Sequence, residues 1–253
     1  MTRVTLRCYA ELNDFLAPAQ RQRDLEVEVQ PGTPLRHLIE TLGIPHTEVE
    51  LILVNGRSVG LEEPIAAGDR VSLYPLFEAL DVAPELRLRP RPLRETRFLV
   101  DAHLGRLARY LRLLGFDTRF HNDLGDPALV QLARAEHRIL LTRDRALLMH
   151  RALTHGCYLR AGPTWVQLEY LIRRLDLGGS LHPFTRCMRC NGLLAPVTKT
   201  EVAQALPPRV RAGFERFWRC GGCEQVYWQG SHYQRLAARI RALQDRLLDP
   251  APS

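Results

Sequence analysis

Four cysteines constrain this chain more than any other feature. Cys187 and Cys190 form one C-x2-C pair, Cys220 and Cys223 a second, with 29 residues between the pairs. Two pairs at this spacing are what two knuckles need to close a tetrahedral four-sulfur site around Zn2+. Four thiolates leave no open coordination position, so one zinc ion here is structural and not catalytic. Residues 179–253 are therefore expected to fold as a zinc ribbon with a C-terminal basic helix. Cys8 and Cys157 lie in apolar runs and read as small buried core residues, so the six cysteines do not make a disulfide framework.

Residues 97–178 alternate short apolar runs (RFLVD, DTRF, RILLTRD, GCYLRA) with amphipathic ones (HLGRLARYLRLLGF, DPALVQLARAEH, RALLMHRAL, GPTWVQLEYLIRRLDL). That rhythm predicts an α/β unit with a parallel sheet. In the first amphipathic run Leu104, Leu107, Tyr110, Leu111 and Leu114 share a face, with Arg106, Arg109 and Arg112 off it. Asp126 reads as a helix N-cap, followed by Pro127 at the first helical position.

Two of the apolar strands end in aspartate, Asp101 and Asp144. Parallel sheets bind their ligands at the carboxyl ends of the strands, and the helix start at Asp126 belongs to the same edge. Carboxylates gathered there repel one another unless a cation neutralises them. Hard oxygen ligands suit Mg2+ or Mn2+, which activates water and stabilises displacement at phosphorus. Taken singly, each aspartate reads as a helix cap; two strands ending alike weaken that alternative.

Residues 1–80 are a different piece. TRVTLRCYA and DLEVEV alternate as half-buried strands do, PLRHLIETLG is a short helix with Thr33 as N-cap and Gly43 as stop, and LILVNG runs into an Asn-Gly turn before GDRVSLYP. The order, with VNGRSV and AAGDRVSLYP, resembles a ubiquitin-like β-grasp domain, similar to the ThiS and MoaD sulfur carriers. Those carriers end in Gly-Gly; here the chain continues through PLFEALDV, so a partner-binding or supporting role is expected rather than sulfur transfer. Residues 81–96, DVAPELRLRPRPLRET, read as an Arg/Pro linker, either touching phosphates or simply solvated.

Charge separates these pieces. Residues 1–80 hold seven Arg against twelve Asp and Glu, a balance of −5; residues 81–253 hold 28 basic and 16 acidic residues, a balance of +12. Of the 35 basic residues only Lys199 is lysine. A basic body suits a polyanion, and arginine meets phosphate bidentately, although biased composition alone produces the same count. After the second knuckle, Tyr227, Trp228, His232 and Tyr233 stand beside Arg235, Arg239 and Arg241. They could stack on bases and hold phosphates, or form an aromatic cover over the ribbon. No run approaches ~20 apolar residues and the N-terminus lacks a signal-peptide pattern, so no membrane partner and a cytoplasmic protein are expected.

Together, FLVDAHLGRLARYLRLLGFDT, EHRILLTRD and the ribbon with its YWQGSHYQRL tail resemble the Mut-seven C-terminal RNase domain family. The resemblance covers essentially the whole chain. It implies a PIN-like nuclease domain at 97–178, a zinc ribbon behind it and a ubiquitin-like domain in front. It further implies a metal-dependent ribonuclease with RNA as partner, its Mg2+ or Mn2+ held by Asp101, Asp126 and Asp144, with Arg143 or Arg106 steadying the developing charge. A fourth acid would be expected soon after the third. Residues 145–168 contain none, Glu169 and Asp176 come late, and Asp123 is a spare carboxylate. A non-catalytic RNA-binding module whose β-grasp domain docks a protein partner is the alternative.

Overall fold

The computed structural model describes residues 1–75 and 96–248. The linker expected at 81–96, apart from Thr96, and the run after Pro75 lie outside the described residues.

The front piece consists of Thr2–Cys8 (β1), Leu25–Val29 (β2), Leu35–Thr41 (α1), Val49–Val54 (β3), Arg57–Val59 (β4) and Arg70–Pro75 (β5). Its mixed sheet runs β2-β1-β5-β3-β4, with β1 parallel to β5 and the other pairs antiparallel. Alternation sends Val4, Leu6 and Cys8 into one core with Leu35, Leu38 and Ile39 of α1, which is the β-grasp arrangement. The Asn55–Gly56 turn joins β3 to β4, with Val54 paired to Arg57. Thr33 does not cap α1: Pro34 occupies that position, and the Thr33 hydroxyl donates to Gln30 O at 2.7 Å, closing the preceding turn instead.

The central segment follows as Arg97–Val100 (β6), Gly105–Leu113 (α2), Asp117–Phe120 (β7), Asp126–Ala135 (α3), Ile139–Thr142 (β8), Arg145–Leu148 (α4), Gly156–Tyr158 (β9) and Thr164–Arg174 (α5). The ribbon comprises Leu194–Val197 (β10), Lys199–Val202 (α6), Pro208–Gly213 (α7), Phe217–Cys220 (β11), Val226–Trp228 (β12) and Ser231–Leu248 (α8). The chain divides into two units, Met1–His103 with Asp123–Ala161, and Leu104–Asn122 with Gly162–Ser253.

In the first unit β6, β8 and β9 are parallel neighbours, with Leu99 opposite Leu140 and Leu141 opposite Cys157. Their apolar runs are continuous because both faces are covered: Phe98, Leu99, Val100, Leu140 and Leu141 are fully buried. The β-grasp piece closes on β9. The fully buried Glu48 accepts the Tyr158 N–H at 2.6 Å, and His46 Nε2 lies 2.9 Å from Leu153 O. Arg145 stands over the rings of Phe15 and Tyr158 at 5.0 and 5.2 Å, and Arg160 pairs with Asp14 at 2.6 Å. An acidic side chain thus satisfies an amide at the edge strand, a group that would otherwise invite another strand.

In the second unit β10, β11 and β12 form an antiparallel ribbon, with Leu194 opposite Cys220 and Trp218 opposite Tyr227. Arg112, expected off the apolar face of α2, is buried. Its Nε donates to Thr118 O at 2.9 Å, and its Nη1 donates to Arg189 O at 2.9 Å and Met188 O at 3.3 Å. The fork leaves the periodic pattern because a knuckle carbonyl row needs a donor there. On α5, Glu169 accepts from Arg246 of α8 at 2.9 Å, and Trp165 lies under Arg239 at 5.6 Å. Among the described residues no helix is long and apolar enough to cross a membrane.

Candidate functional site

The four ribbon cysteines converge, all four Sγ atoms lying within 4.8 Å of one another. The knuckle backbone explains how. Cys187 N donates to Gly192 O at 2.8 Å and Asn191 N to Cys187 O at 2.9 Å, while Glu224 N donates to Cys220 O at 3.0 Å. Gly192 has a steric reason to be glycine, since a Cβ there would lie 2.8 Å from Cys220 Sγ. Tyr227 donates its hydroxyl to Cys187 Sγ at 3.1 Å, and Gly222 N donates to Cys220 Sγ at 3.3 Å. Burial raises the Cys187 thiol, but the Tyr227 hydroxyl, the Cys190 and Arg189 amides and Cys223 together bring it down to about 7. Loss of water around its sulfur and bonds with neighbouring thiols push Cys190 up to about 12. One thiol held low beside one pushed up is what sulfurs crowded together without a cation show. Four soft donors around a small gap could hold a metal ion such as zinc.

The knuckle is also tied to the α2–β7 segment of its own unit. Asn191 donates to Asp117 Oδ1 at 2.8 Å and accepts from Thr118 N at 3.0 Å. Burial lowers the Arg112 pKa, and the nearby Cys190 and Cys187 sulfurs oppose that shift. Asn191, Arg112 and Tyr227 were not singled out as ligand supports by sequence. Only tertiary pairing over more than 70 residues reveals the first two.

The aspartates are arranged differently. Asp101 follows β6 and is nearly buried, at 9% exposure. Thr142, the last residue of β8, donates its hydroxyl to Asp101 Oδ2 at 2.7 Å and accepts from Asp144 N at 3.0 Å. One hydroxyl therefore joins the two strand ends that carry carboxylates. Asp144 is exposed and caps α4, its Oδ1 accepting from Ala146 N at 2.7 Å and Leu147 N at 3.4 Å. Both readings of this aspartate meet at one side chain: Oδ1 caps a helix at a strand's carboxyl end.

Asp126 is exposed at the first residue of α3; Gly125 holds the N-cap position and no side chain caps the helix. Pro127 fixes the first turn, so the expected capping role falls away. Arg143 is exposed between Thr142 and Asp144, and Arg106 is exposed in the first turn of α2, in the other unit. Among the described residues, the cysteines are the one group of three or more metal-ligating side chains gathered at coordinating distance, and Asp101, Asp126 and Asp144 do not form another. Thr142 was missed by sequence, although a hydroxyl residue closing an apolar strand beside Arg-Asp was its visible signal.

A family model described as Mut7-C RNAse domain matches residues 96–240, and one described as Mut7-C ubiquitin matches residues 1–81. Among solved structures, small archaeal modifier protein 1 of Haloferax volcanii is similar at 21% identity and a TM-score of 0.25, covering 30% of this chain and 98% of its own. A putative molybdopterin converting factor, subunit 1, from Pyrococcus furiosus is similar at 25% identity and a TM-score of 0.24, with the same coverages. No curated protein matches.

Proposed function

The chain belongs to the Mut7-C RNase domain family, and on that footing we propose that it is a metal-dependent ribonuclease whose PIN-like central domain, residues 97–178, works at the carboxyl ends of β6 and β8. The observation that carries this reading is the Thr142 hydroxyl, which links the Asp101 carboxylate to the Asp144 backbone. Two hard-oxygen side chains on adjacent parallel strands suit Mg2+ or Mn2+, with Asp126 as a third contributor. An ion held there would supply activation of water and neutralisation of charge at phosphorus. The chain's own residues prepare for it. Thr142 holds the Asp101 carboxylate in place by donating to its Oδ2. The α4 amides hold Asp144 in place by donating to its Oδ1. Arg143, exposed between Thr142 and Asp144 in the same unit, is the cation assigned to the phosphate.

The four cysteines are proposed to hold one structural Zn2+, and the β-grasp domain to dock a protein partner in addition to its contact with β9. The experiment is incubation of zinc-loaded protein with end-labelled single-stranded RNA and Mn2+, beside Asp101→Asn and Asp144→Asn. Cleavage lost in both variants at unchanged zinc content supports the reading. Wild-type rates in Asp101→Asn overturn it.

A second reading has its own observation. Among the described residues the three aspartates are not gathered at coordinating distance. A module that grips RNA without cutting it would bind tightly, weaken steeply with salt and release no product in Mn2+.

A further inference from the structure

A cleft of about 570 Å³ opens on the ribbon. Five aromatic residues line it: Phe184 ahead of the first knuckle, Trp218 on β11, Tyr227 and Trp228 on β12, and Tyr233 on α8. All five are partly exposed, so they do not close into a sealed core. Phe184 and Tyr233 pack with centroids 4.3 Å apart at 39°, which fixes both rings before any ligand arrives. Gly230 keeps the β12–α8 turn close to the Trp228 indole, where a Cβ would come within 2.9 Å of Nε1. Tyr227 is held from behind by its bond to Cys187 Sγ at 3.1 Å. The walls are therefore rigid, aromatic and anchored to the thiol cluster.

We propose that this cleft is a binding site for an unpaired base of an RNA strand. Its volume lies in the range of preformed small-ligand sites. Rigid half-exposed rings are the surface on which bases stack regardless of sequence. The charge around it is complementary to a phosphate chain: residues 181–248 carry 11 basic against 4 acidic side chains, a balance of +7. Arg235 is exposed and follows His232, a cleft residue, by three positions on α8, so the two share a helix face. A base seated on the rings would leave its sugar–phosphate at that rim. The inference rests on the reading of RNA as substrate, but places a second contact on the ribbon, apart from the aspartates.

The test uses full-length, zinc-loaded Asp101→Asn protein, so that RNA is bound without being cut. Fluorescence anisotropy follows a labelled hexaadenylate and an abasic ribose-phosphate oligomer of equal length. The expected result is affinity for the base-bearing oligomer roughly tenfold or more above the abasic one. Trp228→Leu and Tyr233→Leu, which keep apolar volume and remove the ring faces, should erase most of that difference at unchanged zinc content. Equal affinity for the two oligomers, while wild type still cleaves RNA, overturns the base site and spares the nuclease reading. Absence of both binding and cleavage removes the RNA reading itself.

Discussion

Replacing Arg112 by Met should loosen the thiol cluster without touching a cysteine. The buried guanidinium donates to Thr118 O and Arg189 O at 2.9 Å and to Met188 O at 3.3 Å. Bonds from a charged donor contribute about 1.5–3 kcal/mol each, but two of these share Nη1 and do not add. Removing the donor also strands knuckle carbonyls, for an expected loss of about 3–5 kcal/mol. In a unit of this size that lowers the melting temperature by about 10–20 °C. Arg112 is also a positive charge near sulfurs that become thiolates when metal binds, and loss of such outer support weakens metal affinity about 10- to 100-fold. The assay is zinc competition with a colorimetric chelator alongside thermal melting. Arg112→Lys keeps charge but not the fork, so it should recover part of the zinc affinity and little of the melting temperature. Arg112→Met with wild-type zinc affinity and melting would refute the reasoning.

Gly192→Ala should weaken zinc binding in the same competition assay, because its Cβ would stand 2.8 Å from Cys220 Sγ and the knuckle must shift. Glu48→Ala should cost about 1–3 kcal/mol in urea unfolding, since it orphans the Tyr158 amide, whereas Glu48→Gln keeps an acceptor and loses less. In metal-free protein the ultraviolet absorbance of thiolate should begin to rise through about pH 7, because the Cys187 thiol is held down to about 7, and Cys187→Ser should remove that step. Cys8, buried and pushed up to about 12, should add nothing to that absorbance over the same range, so Cys8→Ser should leave the step unchanged. The sign for stability follows: a thiol depressed from 9.0 to about 7 contributes stability present above pH 9 and lost as pH falls through about 7.

The thiol cluster was legible because its chemistry dictates its spacing: two C-x2-C pairs converge as read. The β-grasp piece was legible because alternation, one short helix and Asn-Gly each specify local geometry, and the sheet order followed. The parallel strands and the aspartates at their ends were legible for the same reason. What escaped was tertiary. Arg112 sits in a helix whose period assigns it to solvent, and only the Met188 and Arg189 carbonyls, 76 and 77 residues away, explain its burial. Glu48 opens an apolar run, so its acid was visible, but the β9 amide it serves lies 110 residues on. Asp126 and Thr33 missed their capping roles because the flanking Gly125 and Pro34 took those positions.

The most direct test of the central claim is the single-turnover cleavage rate of end-labelled single-stranded RNA, measured against added Mn2+ in protein carrying its zinc. A hydrolytic site at Asp101 and Asp144 predicts no cleavage before Mn2+ is added and a saturable rise after. It also predicts a loss of about a thousandfold in Asp101→Asn at equal RNA occupancy, as expected when a group acting on the transition state is removed. Cleavage independent of added ion, or an Asp101→Asn rate equal to wild type, would contradict the account.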